Sequence, residues 1–316
     1  MELCRYLETK SAATVAAGKL KGQRMSLDRR NFIKLTAAIG AGSAFAGACA
    51  SASKNKSQAT VVLPSGMVTA DDIANQLTEH LDKRGFTAHK PEPFVTGHAF
   101  NGGLQFDDNI TSIRPATYVL QPAARVEDAQ KRHTPGTLPI FTLFAIMTAT
   151  DAKETACIDI MMNYLQAEVG LDPKRLSVTT TERARHLFAQ FAAHGISTDR
   201  IRIRAWEEAQ ASGSGSGYFC PVGHPRAPSF ESFSLEYTLS DGTELEIVEC
   251  LYAGDRHPVN VCFGVERLAM AHNDRAMLWS DVLPAFKKAV EEDAKARGLA
   301  LPPGYYEILG ISPAKA

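Results

Sequence analysis

Ile73, Leu77 and Leu81 recur every four residues between Val68 and Arg84, which gives a helix there one apolar face. Thr69 is its candidate N-cap, Asp71 and Asp72 stand in its first turn, and Gly85 is a candidate C-cap. Phe86 to Val95 reads as extended. Tyr118 to Val126 and Leu138 to Thr148 are apolar and β-branched enough to be strands. Lys153 to Val169 carries Ile158, Met161, Met162 and Leu165 on one side and reads as a helix. Two short strands, Leu176 to Thr180 and Ile201 to Ala205, flank a helix from Arg183 to His194. Ala211 to Gly217 alternates glycine and serine, as a flexible or ligand-hugging loop does. Phe233 to Leu239 and Glu244 to Tyr252 make a hairpin across Ser240-Asp241-Gly242. Val265 to His272 and Ser280 to Arg297 are the last helices. Clustered strands with helices around them predict an α+β class, an antiparallel sheet flanked by helices.

Composition narrows the picture only slightly. Of 316 residues, 45% are hydrophobic, enough for a packed core. The formal net charge of -1 shows no basic excess, so any nucleic-acid contact would be local. Nothing after residue 45 is long and apolar enough to span a membrane.

Near the start, Asp28-Arg29-Arg30-Asn31-Phe32-Ile33-Lys34 precedes a mildly apolar, Ala/Gly-rich stretch from Leu35 to Ala48. This resembles a twin-arginine export signal, which implies a periplasmic protein. The alternative is a basic amphipathic helix on a cytoplasmic protein. Phe45-Ala46-Gly47-Ala48-Cys49 is similar to a lipoprotein cleavage box, with Ala46 in place of the usual large aliphatic residue. A lipid anchor at Cys49 and cleavage after an Ala-x-Ala-like stretch both stand open. Residues 1–24 push the arginines unusually far in, so Met25 is the expected start. The domains expected are an extension and signal over 1–49, a linker over 50–66 and a core over 67–316.

The run Phe263-Gly264-Val265-Glu266-Arg267-Leu268 carries the candidate chemistry. A glycine ending a strand lets a flat ring lie against the backbone, and an arginine opening a helix can stack on a ring or pair with phosphate. A structural ion pair at a strand-to-helix junction would read the same way. The run resembles the third signature of class II aminoacyl-tRNA synthetases, and Gln121-Pro122-Ala123-Ala124-Arg125 resembles their second. The long helix and strand from Val68 to Val95 resemble the first, which in the family builds a dimer interface. Leu171 to Val178, Gly195 to Ile203 and Ala227 to Glu231 follow the order of alanyl-tRNA synthetase cores, over roughly two thirds of the chain.

That resemblance implies ATP-dependent activation of an amino acid, alanine or a small relative, as the aminoacyl-adenylate. It implies ATP and Mg2+ as cofactors and a homodimer. Arg125 and Arg267 become the catalytic pair on the phosphates, with Phe263 and Gly264 also at the ATP. Tyr218 or Phe219 fills the place of a family aromatic, and Tyr218, Glu249 and Asn260 become the amino-acid site. The chain also departs from the family. No Asp or Glu lies between Asp128 and Asp151, and Phe141 and Thr142 stand where the family has an acid. Asn260 replaces a family aspartate and Glu249 a family asparagine, as if one carboxylate had crossed the pocket.

The family's tRNA-binding domains follow its core, whereas this sequence reaches Ala316 without them, so tRNA is not an expected partner. Two other readings stand beside activation: an exported, catalytically inactive paralogue that binds an amino acid or nucleotide-like ligand, and a structural dimeric partner. Cys220 and His224 have zinc-pair spacing, but no Cys-x-x-Cys accompanies them and no metal site is assigned. A disulfide among the cysteines is compatible with the periplasm.

Overall fold

Thr69 caps the first helix, α1 (Ala70–Asp82), through a reciprocal box: its Oγ1 accepts the Asp72 N–H at 3.1 Å, and its own N–H donates to Asp72 Oδ2 at 2.8 Å. The structure is a computed structural model, and it describes residues 66–91, 100–101, 116–148, 154–219, 230–252, 260–296, 301 and 303–310. The export signal, Cys49, most of the linker, Cys220, His224, Ala227 and His257 lie outside the described residues.

The strands are β1 (Thr87–Ala88), β2 (Phe100–Asn101), β3 (Thr117–Arg125), β4 (Ile140–Met147), β5 (Leu176–Thr181) and β6 (Ile201–Arg204). They continue with β7 (Ser214–Gly215), β8 (Tyr218–Phe219), β9 (Phe230–Thr238), β10 (Glu244–Tyr252) and β11 (Asn260–Gly264). All described strands share one sheet, in the order β1-β3-β4-β11-β10-β9-β5-β6. β2 lies on β3, and the β7–β8 hairpin hangs from β9. Only β1 with β3 and β5 with β6 run parallel among the described pairs. The α+β expectation holds: a mostly antiparallel sheet flanked by helices.

One face of the sheet is closed by helices. α2 (Glu154–Asn163), α3 (Phe188–Ala193), α5 (Val265–His272) and α6 (Trp279–Ala296) join α1 there. Tyr118, Phe144, Phe233, Val248, Cys250 and Phe263 meet Ile73, Leu77, Ile158, Phe191 and Leu268 in the main core. Strand alternation sends the intervening residues to the opposite face. There Val119, Ala123, Leu143 and Ala145 form a small cluster with Phe141 and Cys262. Short side chains on that face leave a hollow.

Several predicted elements differ in detail. The helix expected over 153–169 changes to a π-turn at Tyr164–Glu168. The one expected over 183–194 begins as a 3-10 turn, Glu182–Leu187, and becomes α only in α3. Two helices were not legible, α4 (Trp206–Ser212) and α7 (Pro303–Leu309). No helix of the described residues is long and apolar enough to cross a membrane.

α1 is tied to the end of α5 by one side chain. Asn273 Oδ1 accepts the Val68 N–H at 3.0 Å, and Asn273 Nδ2 donates to the Val68 carbonyl at 2.7 Å. The segments read as the first and third signatures are therefore direct neighbours. Cys157, Cys250 and Cys262 are free thiols.

Candidate functional site

A β-bulge sets the electrostatics of the open face. Along β10 the pairing with β9 slips between Glu246 and Val248: Glu246 pairs with Glu236, while Val248 already pairs with Leu235. One extra residue on β10 lets Glu246 and Glu249 share a face although their spacing is odd. Across that face the register aligns Val119, Ala145, Cys262, Glu249, Ser234 and Thr179 in one row. The row is apolar at one end and polar at the other.

The hollow is an open cleft, and Arg125, Arg267, Gly264, Glu246 and Glu249 all line it. The two arginines come from distant elements. Arg125 ends β3, where its N–H donates to the Pro139 carbonyl at 2.8 Å and its Nε lies 3.5 Å from Asp128 Oδ2. Arg267 sits in the first turn of α5. Its Nε donates to the Gly136 carbonyl and its Nη1 to the Glu246 carbonyl, each at 3.0 Å, with Glu246 Oε1 at 3.7 Å from Nη1. Two backbone carbonyls thus fix the plane of the guanidinium. Among the described residues Nη2 makes no hydrogen bond and stays available to a ligand oxygen.

Among the described residues Glu249 is the cleft carboxylate without an ion pair. Its oxygens accept the Ser216 N–H at 3.2 and 3.3 Å and the Ser234 hydroxyl. Burial pushes its pKa up to about 8, the Glu246 charge adds to that, and the serine donors pull it back. Burial also raises the neighbouring Cys262 thiol. A desolvated carboxylate held only by neutral donors is costly in the charged form, unless a cationic group arrives. The glycine-serine run does hug an acid here, since the β7–β8 hairpin lies over Glu249.

Other predicted site residues sit elsewhere. The Phe263 side chain is 0% exposed and faces the helices, edge-on to Tyr164 at 6.0 Å, so it belongs to the core and not to a nucleotide pocket. Strand alternation is the reason, because Cys262 and Gly264 take the cleft side. Tyr218 likewise turns away, against Trp206 at 5.3 Å, and its neighbour Phe219 lines the cleft. Asn260 shares the open face but is consumed within the sheet. Its Nδ2 donates to the Ile146 carbonyl at 3.0 Å, and its Oδ1 accepts the Cys262 thiol at 3.0 Å. Phe141, where the resemblance places an acid, presents an aromatic wall to the cleft.

Sequence reasoning missed two carboxylates. Glu246 joins the cleft only through the bulge, whose trace is the doubled apolar pair Ile247-Val248 between Glu246 and Glu249. Glu266 is buried, and its Oε2 accepts the Thr142 N–H at 2.9 Å, just beyond the Gly264–Leu143 pair where β11 ends. It locks α5 to β4, although burial raises its pKa to about 7.

Gly264 is not demanded by the fold. Its φ is -82°, and an added Cβ would meet only the Arg267 side chain, at 3.6 Å and beyond. Gly264→Ala is therefore expected to leave unfolding within about 0.5 kcal/mol of the parent, while weakening ATP binding by filling the cleft. Denaturant melts and nucleotide titrations of the two proteins test this, and equal affinities would show that no ligand approaches Gly264.

The donors suit a phosphate, because two arginines from separate elements converge on it. Among the described residues no group of three or more His, Cys, Asp or Glu side chains could hold a metal ion. Glu246 is the cleft carboxylate beside Arg267, its Oε1 at 3.7 Å from Nη1.

No family model matches the chain, and no curated protein matches it. Among solved structures it is similar to apo histidyl-tRNA synthetase from S. aureus, at 14% identity over 68% of this chain and 71% of that chain, with a TM-score of 0.36. At that TM-score the likeness carries no argument.

Proposed function

We propose that the cleft binds ATP and a small amino acid and activates the amino acid as its adenylate, in the manner of a class II synthetase core of alanyl type. The observation that carries this reading is the convergence of Arg125, Arg267 and the cation-free Glu249 on one cleft. The arginines meet the phosphates, and Glu249 meets the ammonium. Joining a carboxylate to the α-phosphate brings two anions together, and fixed guanidinium groups offset their repulsion and orient both. The Glu249 side chain orients the amino acid from its other end.

Phe141 in the acid's place favours a second reading, in which the cleft binds the same ligands without turnover. Export by the twin-arginine route fits either one, because that signal type serves folded proteins. The acceptor of an activated amino acid is left open.

A thermal-shift titration with ATP and magnesium, with and without alanine, tests binding. The parent is expected to be stabilised by ATP and further by alanine, and Arg267→Ala to lose the ATP response. No shift with ATP would reject the phosphate role of the arginines. ATP–pyrophosphate exchange then divides the two readings: exchange supports activation, and binding without exchange supports the inactive paralogue.

A further inference from the structure

We infer that the hairpin from Gly213 to Phe219, pinned from outside the cleft by Arg204, is the element that aims the Glu249 carboxylate at its ligand. The inference rests on Glu249 as the ammonium site and names the residues that make it one.

Backbone geometry is the first support. Gly213, Gly215, Ser216 and Gly217 all have positive φ, at 62°, 106°, 54° and 125°. A serine in that region is uncommon, and such conformations persist where the surroundings impose them. The result is that the Ser216 N–H points at Glu249. Gly215 lies directly over the carboxylate: a Cβ there would stand 2.8 Å from Cδ and from both oxygens. Only glycine allows that approach.

The hairpin is held from two directions. Arg204, at the end of β6, donates from Nη1 to the carbonyls of Gly215 and Ser216, each at 3.3 Å. From below, the Gly217 N–H donates to Ser232 Oγ at 3.1 Å, and the Ser232 N–H donates back to the Gly217 carbonyl at 3.2 Å. The Ser216 and Ser234 hydroxyls lie 2.6 Å apart, and Ser234 also donates to Glu249. Arg204 never touches the carboxylate. It fixes the Gly215–Ser216 peptide, whose N–H does, which makes it a positioning residue.

This arrangement also selects the ligand's charge. The Ser216 and Ser234 donors hold the carboxylate, and its uncharged neighbours in the cleft include Leu251 and Cys262. The charged groups that line the cleft with Glu249 are Glu246 on its own strand, Arg125 and Arg267, with the Cys262 thiol opposite on β11. A primary amine on a small uncharged skeleton satisfies that site.

The test uses the full chain with ¹³C-labelled glutamate, and Glu249→Gln identifies the Glu249 signal. Arg204→Ala and Ser234→Ala are titrated with acid and base, and their affinities for alanine and for ATP with magnesium are measured. Both variants are expected to raise the Glu249 titration midpoint and to weaken alanine about tenfold, as loss of one hydrogen bond to a charged group does, with ATP affinity unchanged. Arg204→Lys should recover part of each effect. A parent that binds no alanine would reject the amine reading, yet the midpoints would still report on the hairpin. Midpoints equal to the parent's in both variants would overturn the inference, as would equal losses of alanine and ATP affinity.

Discussion

Glu249→Gln is expected to stabilise the unliganded protein in mildly alkaline solution and to abolish its response to alanine. Folding raises the Glu249 pKa from 4.5 to about 8, so the folded chain holds a proton that the unfolded chain has released between those values. Stability contributed by such a group grows as pH falls through that window, and it is lost as pH rises through the folded pKa. Glutamine cannot ionise and removes the slope, while its amide oxygen still accepts the Ser216 and Ser234 donors. The gain should be on the order of 5 kcal/mol at about pH 9 and should vanish below about pH 4. Burial raises Glu236 and Glu266 to about 7 as well, and their slopes of the same sign remain in the variant. Parallel denaturant melts across pH measure the difference. A variant less stable at every pH would show that Glu249 is a structural acceptor, and retained alanine binding would remove it from the site.

Gly136→Ala should cost both fold and nucleotide. Gly136 has φ of 78°, and a Cβ there would lie 2.3 Å from Leu245 Cδ2, far inside contact distance. Its N–H donates to the Met277 carbonyl at 2.9 Å, and its carbonyl receives Arg267 Nε. A methyl group must therefore move either Leu245 or the turn that orients Arg267. Strain and overpacking together predict a loss of about 2–4 kcal/mol, with weakened ATP binding. Leu245→Ala alone opens a cavity in the core, but in the double variant the two changes fill each other's space. The double variant should therefore lose less stability than the sum of the two single variants. A Gly136→Ala protein that melts with the parent would show that the turn yields freely.

Much of this was legible along the chain, for reasons that differ by residue. α1 could be read because its apolar spacing, its Thr69 cap and its Asp72 all agree. The α4 helix could not, because the glycine-serine signal that follows it dominates the window, and Ser212 belongs to both. Arg125, Arg267 and Glu249 were singled out through the order of the resembling segments, and all three line one cleft. Phe263 and Tyr218 were placed one residue out of phase. A strand puts neighbours on opposite faces, and sequence alone does not say which face is the open one. Glu246 was hidden by the bulge. Arg204 gave no signal, since its role depends on carbonyl directions that only the folded hairpin creates.

The sheet order also has a consequence for the folding pathway. β11 inserts between β4 and β10, so the contacts that assemble the cleft span most of the core: Arg267 reaches Gly136 across 131 residues, and Glu266 reaches Thr142 across 124. A nascent chain that has emerged only as far as Tyr252 holds every strand except that central one. Its β4 and β10 then present two unpaired apolar edges to each other and to any neighbouring chain. Closing such long loops is slow. A chain that has emerged only to Tyr252 is therefore expected to aggregate more readily than one that has reached Gly264.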